Sequence, residues 1–339
     1  MNKSMHGRIA VLGARGYLGS AVVSGLMRSG VRVTGVGRRL PGGWPAGATF
    51  QLCDATNGAA LRHAVGECDG VINAAGGPPA AMVRVARNLA AIRAGGWQGR
   101  LVHISSLSVY GQTTGVLDEA CTPVPAPGHR YAQGKLAAEE VLGAGFSANE
   151  TVILRAGCIY GPGSPIWVDR LCRLLQAGRL GWLWDEGAGP CPLIHVDDMA
   201  RTAINALTAG PGAAGVHNLA GAEALTWNMY IRRLAMGLGM SVLPRVSSMR
   251  LDFDTYLQGP AEHLMARLGV PVAGPITPAM RRLFRGQARI GTRRVKLLAA
   301  EDHVSLQAGL SLAIADFLRR SPGRRARVPH GAVRPQAVA

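Results

Sequence analysis

The turn Gly13-Ala14-Arg15-Gly16-Tyr17-Leu18-Gly19 constrains this chain more than any other segment. It follows an apolar run, Arg8 to Gly13, that reads as a β-strand. It opens a stretch, Tyr17 to Ser29, that is apolar at helical spacing. Glycines three residues apart permit a tight turn, close approach of backbone to a pyrophosphate, and close packing of helix on strand. The phosphates then meet the positive end of the helix. Glycine is abundant here, 46 residues of 339. The trio therefore gains its weight from the strand-turn-helix setting and not from its glycines alone.

The rest of the first half repeats that alternation. Val31–Val36, Thr49–Cys53, Val71–Ala75, Leu101–Ser105 and Thr151–Leu154 read as strands; Met82–Ala94 and Tyr131–Leu142 read as helices. Strands alternating with helices predict an α/β fold, a doubly wound parallel sheet of Rossmann type. Such a sheet binds its ligand at the carboxyl ends of the strands. After Gly163 the pattern changes. Trp167–Gly178 reads as an amphipathic helix, and Leu193-Ile194 as a short strand entering a helix from His195 to Thr208. Val216–Leu219 returns to the sheet, while Trp227–Leu238 and Ser305–Leu318 are further helices. These boundaries predict a dinucleotide-binding domain over 7–163, with 191–220 returning to it. A smaller, mostly helical substrate-binding region covers 164–190 and 221–320. The Pro-, Gly- and Arg-rich stretch 321–339 reads as a disordered basic tail.

Composition excludes several classes. With 48% hydrophobic and 17% charged residues the chain is globular. No apolar run reaches the ~20 residues that span a bilayer. The short apolar run near the N-terminus leads straight into the glycine turn and is not read as a secretory signal. Six cysteines are scattered without a C-x-x-C pair, so neither a metal site nor a disulfide framework is expected, and reduced thiols suit a cytoplasmic enzyme. The net charge of +17 raises a polyanionic partner. Against nucleic acid stands the scatter of arginines along the chain without aromatic interleaving. Anionic cofactor and substrate account for part of the charge.

The second strand ends Val36-Gly37-Arg38-Arg39. An acidic residue here would bind a ribose 2′-hydroxyl and favour NAD; none is present. Arg38, helped by Arg15, is placed to pair with a 2′-phosphate, so NADP is favoured over NAD. Arg39 reads as a solvated surface arginine. Farther on, Ser105-Ser106-Leu107-Ser108 ends a strand, and Tyr131-Ala132-Gln133-Gly134-Lys135 starts a helix. Tyr131 and Lys135 are four apart and project from one helical face. A tyrosine titrates at about 10, too high for a base at neutral pH, and a nearby ammonium favours the phenolate. A serine hydroxyl opposite can hold and polarise a substrate oxygen. Lysine is otherwise found only at Lys3 and Lys296, which argues against a chance pairing.

Taken together these segments resemble the extended short-chain dehydrogenase/reductases, the NAD(P)-dependent epimerase/dehydratase superfamily. Gly13, Gly16 and Gly19 fit its glycine motif, Asp54 its adenine-contacting acid, and Asn73-Ala74-Ala75-Gly76 its fourth-strand motif. Ser105 to Gly111 with Tyr131 and Lys135 fit its catalytic segments. Leu154-Arg155, Ile159 to Pro162, and His195 to Ala200 fit its later landmarks. The resemblance runs from about residue 7 to 320. It implies Ser106, Tyr131 and Lys135 as catalytic residues. Gly13, Arg15, Gly16, Tyr17, Leu18, Gly19, Arg38, Asp54, Ala74, Ala75 and Gly76 would hold the cofactor, with Tyr131 and Lys135 also touching it. Ser108 and Cys158 would contact a small-molecule substrate. It also implies a homodimer formed through Met82–Ala94 and Tyr131–Leu142.

Departures from the family bear on substrate. Cys158 and Cys191 stand where sugar-nucleotide epimerases place Asn and Arg to hold a nucleotide diphosphate; Arg170, Arg173 and Arg179 are the candidate replacements. Trp167, Trp182 and Trp184 line an apolar pocket or pack a core. Gly134 replaces a commoner Ser, a change expected to cost ~1 kcal/mol of helix stability and no chemistry. His195, Asp197 and Asp198 read as a helix cap. The leading expectation is an NADPH-dependent reductase interconverting a secondary alcohol and a ketone. The alternatives are a sugar-nucleotide epimerase or dehydratase, and a non-catalytic NADP- or RNA-binding protein on the same fold.

Overall fold

The computed structural model describes residues 7–111, 114–147, 150–221, 223–258, 265, 268, 273–298 and 303–321. The tail expected to be disordered lies, from residue 322 on, outside the described residues. The chain forms two compact units. The first is Met1–Gly161, Pro192–Ala224 and Gly286–Leu306; the second is Pro162–Cys191, Leu225–Arg285 and Gln307–Ala339.

In the first unit β1 (Arg8–Leu12) leads into α1 (Tyr17–Arg28), followed by β2 (Arg32–Gly37), β3 (Thr49–Leu52), α2 (Gly58–Val65) and β4 (Gly70–Asn73). Then come α3 (Pro79–Ala94), β5 (Arg100–Ser106), β6 (Val116–Leu117), α4 (Arg130–Gly145), β7 (Thr151–Ala156) and β8 (Cys158–Tyr160). β9 (Leu193–His195), α6 (Val196–Thr208), β10 (Gly215–Leu219) and β11 (Arg289–Ile290) complete it. The second unit holds α5 (Leu171–Gln176), α7 (Trp227–Gly237), α8 (Ser248–Phe253), α9 (Pro278–Arg285) and most of α10 (Leu306–Arg320).

Seven parallel strands lie in the order β10-β7-β5-β4-β1-β2-β3. The order reverses between β1 and β4, which opens a crevice at their carboxyl ends. Each central strand buries both faces, as a parallel sheet requires. Ile9 and Val11 pack with α1 and α6 on one side. Ala10 and Leu12 pack with α2, α3 and α4 on the other. Register then sets which polar residues share a row: Asn73 is paired with His103, and Arg155 lies between Ser105 and Asn218.

Gly286–Leu306 differs from the sequence expectation, which put all of 221–320 in the substrate-binding region. It belongs to the first unit because β11 pairs with β6 and Leu298 enters the core beside α6. The helix expected over Trp167–Gly178 is shorter. A wide turn, Pro165–Arg170, precedes α5, and its start at Pro165 denies the first turn an amide donor. No described helix is long and apolar enough to cross a membrane.

Candidate active site

The turn after β1 forms around contacts only glycine allows. Gly13 has φ +74°, and a Cβ there would lie 2.9 Å from the Ala74 carbonyl oxygen. A Cβ on Gly19 would lie 2.1 Å from the Gly13 carbonyl oxygen. Helix α1 begins behind Gly16, which caps it with no side-chain hydrogen bond, and its first turn carries no acidic residue. Its amides and the positive helix end are thus left for an anion.

Beside this turn opens a cavity of about 720 Å³. Of the residues expected to hold a cofactor, Gly13, Arg15, Gly16, Arg38, Asp54, Ala74, Ala75 and Gly76 line it. Tyr17, Leu18 and Gly19 do not. Leu18 is buried in the core, Tyr17 packs against that core, and Gly19 packs on Gly13. The lining also includes residues the sequence reading missed: Arg39, Cys53, Thr56, Met82 and Val85. Arg39 is exposed, as expected of a surface arginine, and borders the cavity beside Arg15 and Arg38. Asp54 turns one carboxylate oxygen onto the Thr56 amide (3.0 Å) and hydroxyl (2.8 Å). Those hydrogen bonds hold its carboxyl below the usual range. The cavity therefore presents three guanidinium groups against one carboxylate. A built glycine cradle, an uncapped helix start and a cationic cavity fit a dinucleotide phosphate group.

The catalytic candidates meet at the ends of β5 and α4. Ser106 accepts hydrogen bonds from the Ser108 hydroxyl (2.9 Å) and amide (3.2 Å). Tyr131 stays 44% exposed as a residue, yet burial around its hydroxyl raises its pKa, and a hydrogen bond from Ser106 pulls it partly back. Lys135 is buried and donates to the Ile104 carbonyl oxygen at 2.7 Å, its ammonium 6.0 Å from the Tyr131 ring centre. This departs from the expectation that Lys135 lowers the Tyr131 pKa: the ammonium is turned to β5, and Ser106 is the group acting on the phenol. Burial pulls Lys135 itself down to about 8, against the opposing charge of Glu139.

Other expectations resolve locally. His195 caps α6, its Nδ1 accepting from the Asp197 amide at 3.3 Å. Cys158 is 3% exposed and burial pushes its thiol up, so it is a neutral group. Arg179 is committed to Asp254 through bonds of 2.6 and 2.7 Å and is not available to replace a diphosphate ligand. Trp167 packs on Trp227, which packs on Phe284, as core; Trp184 is exposed with Arg245 over its ring. Among the described residues no group of His, Cys, Asp or Glu is arranged to hold a metal ion.

Gly134 differs most from expectation. A Cβ there would meet the Pro79 Cα at 2.8 Å and the Met82 Cε at 2.9 Å. The glycine is required because α3 crosses α4 at this point, and Met82 goes on to line the cavity. Gly134→Ser is therefore expected to destabilise by about 1–3 kcal/mol through overpacking, measured by urea unfolding. Stability equal to wild type would mean that α3 yields freely.

The profile of the NAD dependent epimerase/dehydratase family matches residues 9–220. The chain belongs to this family. Its relatives include the 2-alkyl-3-oxoalkanoate reductase of Stenotrophomonas maltophilia, 30% identical over 73% of this chain and 79% of that one. An uncharacterised protein of Mycobacterium tuberculosis is 28% identical over 70% of this chain, which spans about a quarter (24%) of that protein's length. Among solved structures, the UDP-glucuronic acid 4-epimerase of Bacillus cereus in complex with NAD superposes with a TM-score of 0.70 at 20% identity, covering 92% of this chain and 99% of that one.

Proposed function

We propose that the protein is an NADPH-dependent reductase that converts a ketone to a secondary alcohol. The observation that carries this reading is the convergence of Ser106 and Tyr131 at the ends of β5 and α4, with the Lys135 ammonium 6.0 Å from the Tyr131 ring centre. At neutral pH a tyrosine hydroxyl carries its proton and can give it to an oxygen on which negative charge develops. When bound, the nicotinamide supplies the hydride. Tyr131 then delivers its proton to the substrate oxygen, and Ser106 steadies that oxygen by hydrogen bonding. Ser108 holds Ser106 in place. Lys135 adds a positive charge beside Tyr131, and the family resemblance implies that it would hold the nicotinamide ribose. The 2-alkyl-3-oxoalkanoate reductase relative supports a β-keto acid as the first substrate class to try.

The preference for NADP rests on Arg15, Arg38 and Arg39 in a cavity that offers Asp54 as its acid. Removing a charge-assisted bond to a 2′-phosphate costs about 1.5–3 kcal/mol. Arg38→Ala is therefore expected to weaken NADP roughly 10- to 100-fold and NAD hardly at all, measured by fluorescence titration of the reduced cofactors. Equal weakening of both would refute the assignment.

The activity test is NADPH oxidation with 2-alkyl-3-oxoalkanoates and, in parallel, with UDP-sugars. Stoichiometric oxidation with the keto acid supports the reductase. Interconversion of UDP-sugars without net oxidation would replace it with an epimerase.

A further inference from the structure

Helix α4 carries a third residue on the face of Tyr131 and Lys135. Glu139 is one turn beyond Lys135 and is buried. Its carboxylate takes a bidentate pair of bonds from Arg155 on β7: Nη2 to Oε2 at 2.7 Å and Nε to Oε1 at 3.2 Å. It also accepts the Ser105 hydroxyl from β5. Arg155 continues to the Tyr110 hydroxyl (2.7 Å), which donates to Asn218 on β10 (2.9 Å). The sheet register puts Ser105, Arg155 and Asn218 in one row, so one carboxylate on α4 ties the helix to three neighbouring strands. Ser105 directly precedes Ser106, and the tie therefore reaches the backbone that presents the catalytic hydroxyl.

The charges around Lys135 are few. On α4 they are Tyr131 and Glu139. On β5 the buried His103 accepts from the Asn73 amide at 3.1 Å; burial, and after it the Lys135 charge, hold it well below its usual pKa, so it is neutral. On β7 Arg155 faces Glu139. Helix α3, packed on the other side, carries Arg84 and Arg87, both exposed. Glu139 is thus the acidic group that faces Lys135.

We propose that Glu139 is a positioning residue: through Ser105 and Arg155 it fixes α4 on the sheet, and its carboxylate is the counter-charge that keeps buried Lys135 an ammonium. The proposal rests on Lys135 acting as assigned under the reductase reading, but its test needs no turnover. Lysine occurs only at positions 3, 135 and 296. Full-length protein labelled with 13C at the lysine ε-carbon should show three signals, with Lys135 identified by its loss in Lys135→Arg. Titrated by NMR, Lys135 should have a midpoint near 8 in the wild type.

In Glu139→Gln the midpoint should fall by about one pH unit or more, a tenfold loss of the ammonium form. The sign follows from burial, which already disfavours the charge and would then act unopposed. Because that variant leaves Arg155 buried and unpaired, E139M/R155M is measured beside it; replacing a buried ion pair with apolar side chains is commonly tolerated. A lowered midpoint in the double variant supports the proposal. A wild-type midpoint there overturns it, since the single variant's shift would then come from the stranded Arg155 charge. If activity is detected, its alkaline limb should move down with the NMR midpoint. A moved NMR midpoint without reductase activity would retire the reductase reading and leave the role of Glu139 standing.

Discussion

Tyr131→Phe is expected to reduce turnover by about 10²- to 10⁴-fold, the usual contribution of a positioned acid or base, while dinucleotide affinity stays near wild type. The variant keeps the ring and removes one oxygen. Nothing in the glycine turn or the arginine-lined cavity touches that oxygen, since Tyr131 is not among the lining residues. The loss should therefore fall on kcat and leave the cofactor Kd almost unmoved. The phenol's elevated pKa gives the prediction a direction as well. At neutral pH the hydroxyl is protonated, so the reductive reaction has its acid in place, whereas the oxidative reaction must first remove that proton. Below the Lys135 midpoint near 8, oxidation should accordingly rise with pH while reduction is flat. Ser106→Ala removes the hydrogen bond that partly lowers the phenol pKa. It should slow both directions and move the oxidative profile to higher pH. Steady-state rates in both directions, with fluorescence titration of NADPH, check all of this. Full activity in Tyr131→Phe would defeat the mechanism, and a matching loss of cofactor affinity would mean the tyrosine is structural.

The parts of this site that were legible in the sequence are those encoded locally. A strand, a glycine turn and a helix follow one another in the chain, so Gly13 and Gly16 could be placed without tertiary information, while the Ala74–Gly76 loop came from the family resemblance. Tyr131 and Lys135 share a face through helix periodicity alone. What escaped depends on register between distant strands. Glu139 looks like one of two adjacent acids on an amphipathic helix, and Arg155 like a motif landmark. Only the pairing of Ser105 with Arg155 and of Arg155 with Asn218 makes them one network. Gly134 was misjudged because helix propensity was weighed without α3, whose Pro79 occupies the space of a side chain. The two-residue strands β6 and β11 and the helices α8 and α9 are too short to establish a periodicity.

Gly19→Ala tests the feature that most constrains the fold. In an ordinary helix this change adds about 1 kcal/mol of stability. Here the new methyl group would lie 2.1 Å from the Gly13 carbonyl oxygen and 2.8 Å from its carbon, both backbone atoms of the turn. Neither can step aside as a flexible side chain would. Gly13 is held in turn: its amide donates to the Val36 carbonyl at 3.1 Å, and its carbonyl oxygen accepts from Gly16 at 2.8 Å. Relief therefore requires α1 to move off β1 and carry its free amides with it. Overpacking of this kind costs about 1–3 kcal/mol or more. Each charge-assisted bond lost to a phosphate weakens binding by a further 1.5–3 kcal/mol, roughly 10- to 100-fold. The expected result is a protein that unfolds at lower urea and binds neither NADP nor NAD measurably. Gly143→Ala is the control: it is also helical, on the exposed face of α4, and its methyl group would meet nothing within 4 Å. It should gain about 0.5–1 kcal/mol and leave binding untouched. If Gly19→Ala behaves like that control, the turn does not need its third glycine for packing, and the cradle must be assigned to Gly13 and Gly16 alone.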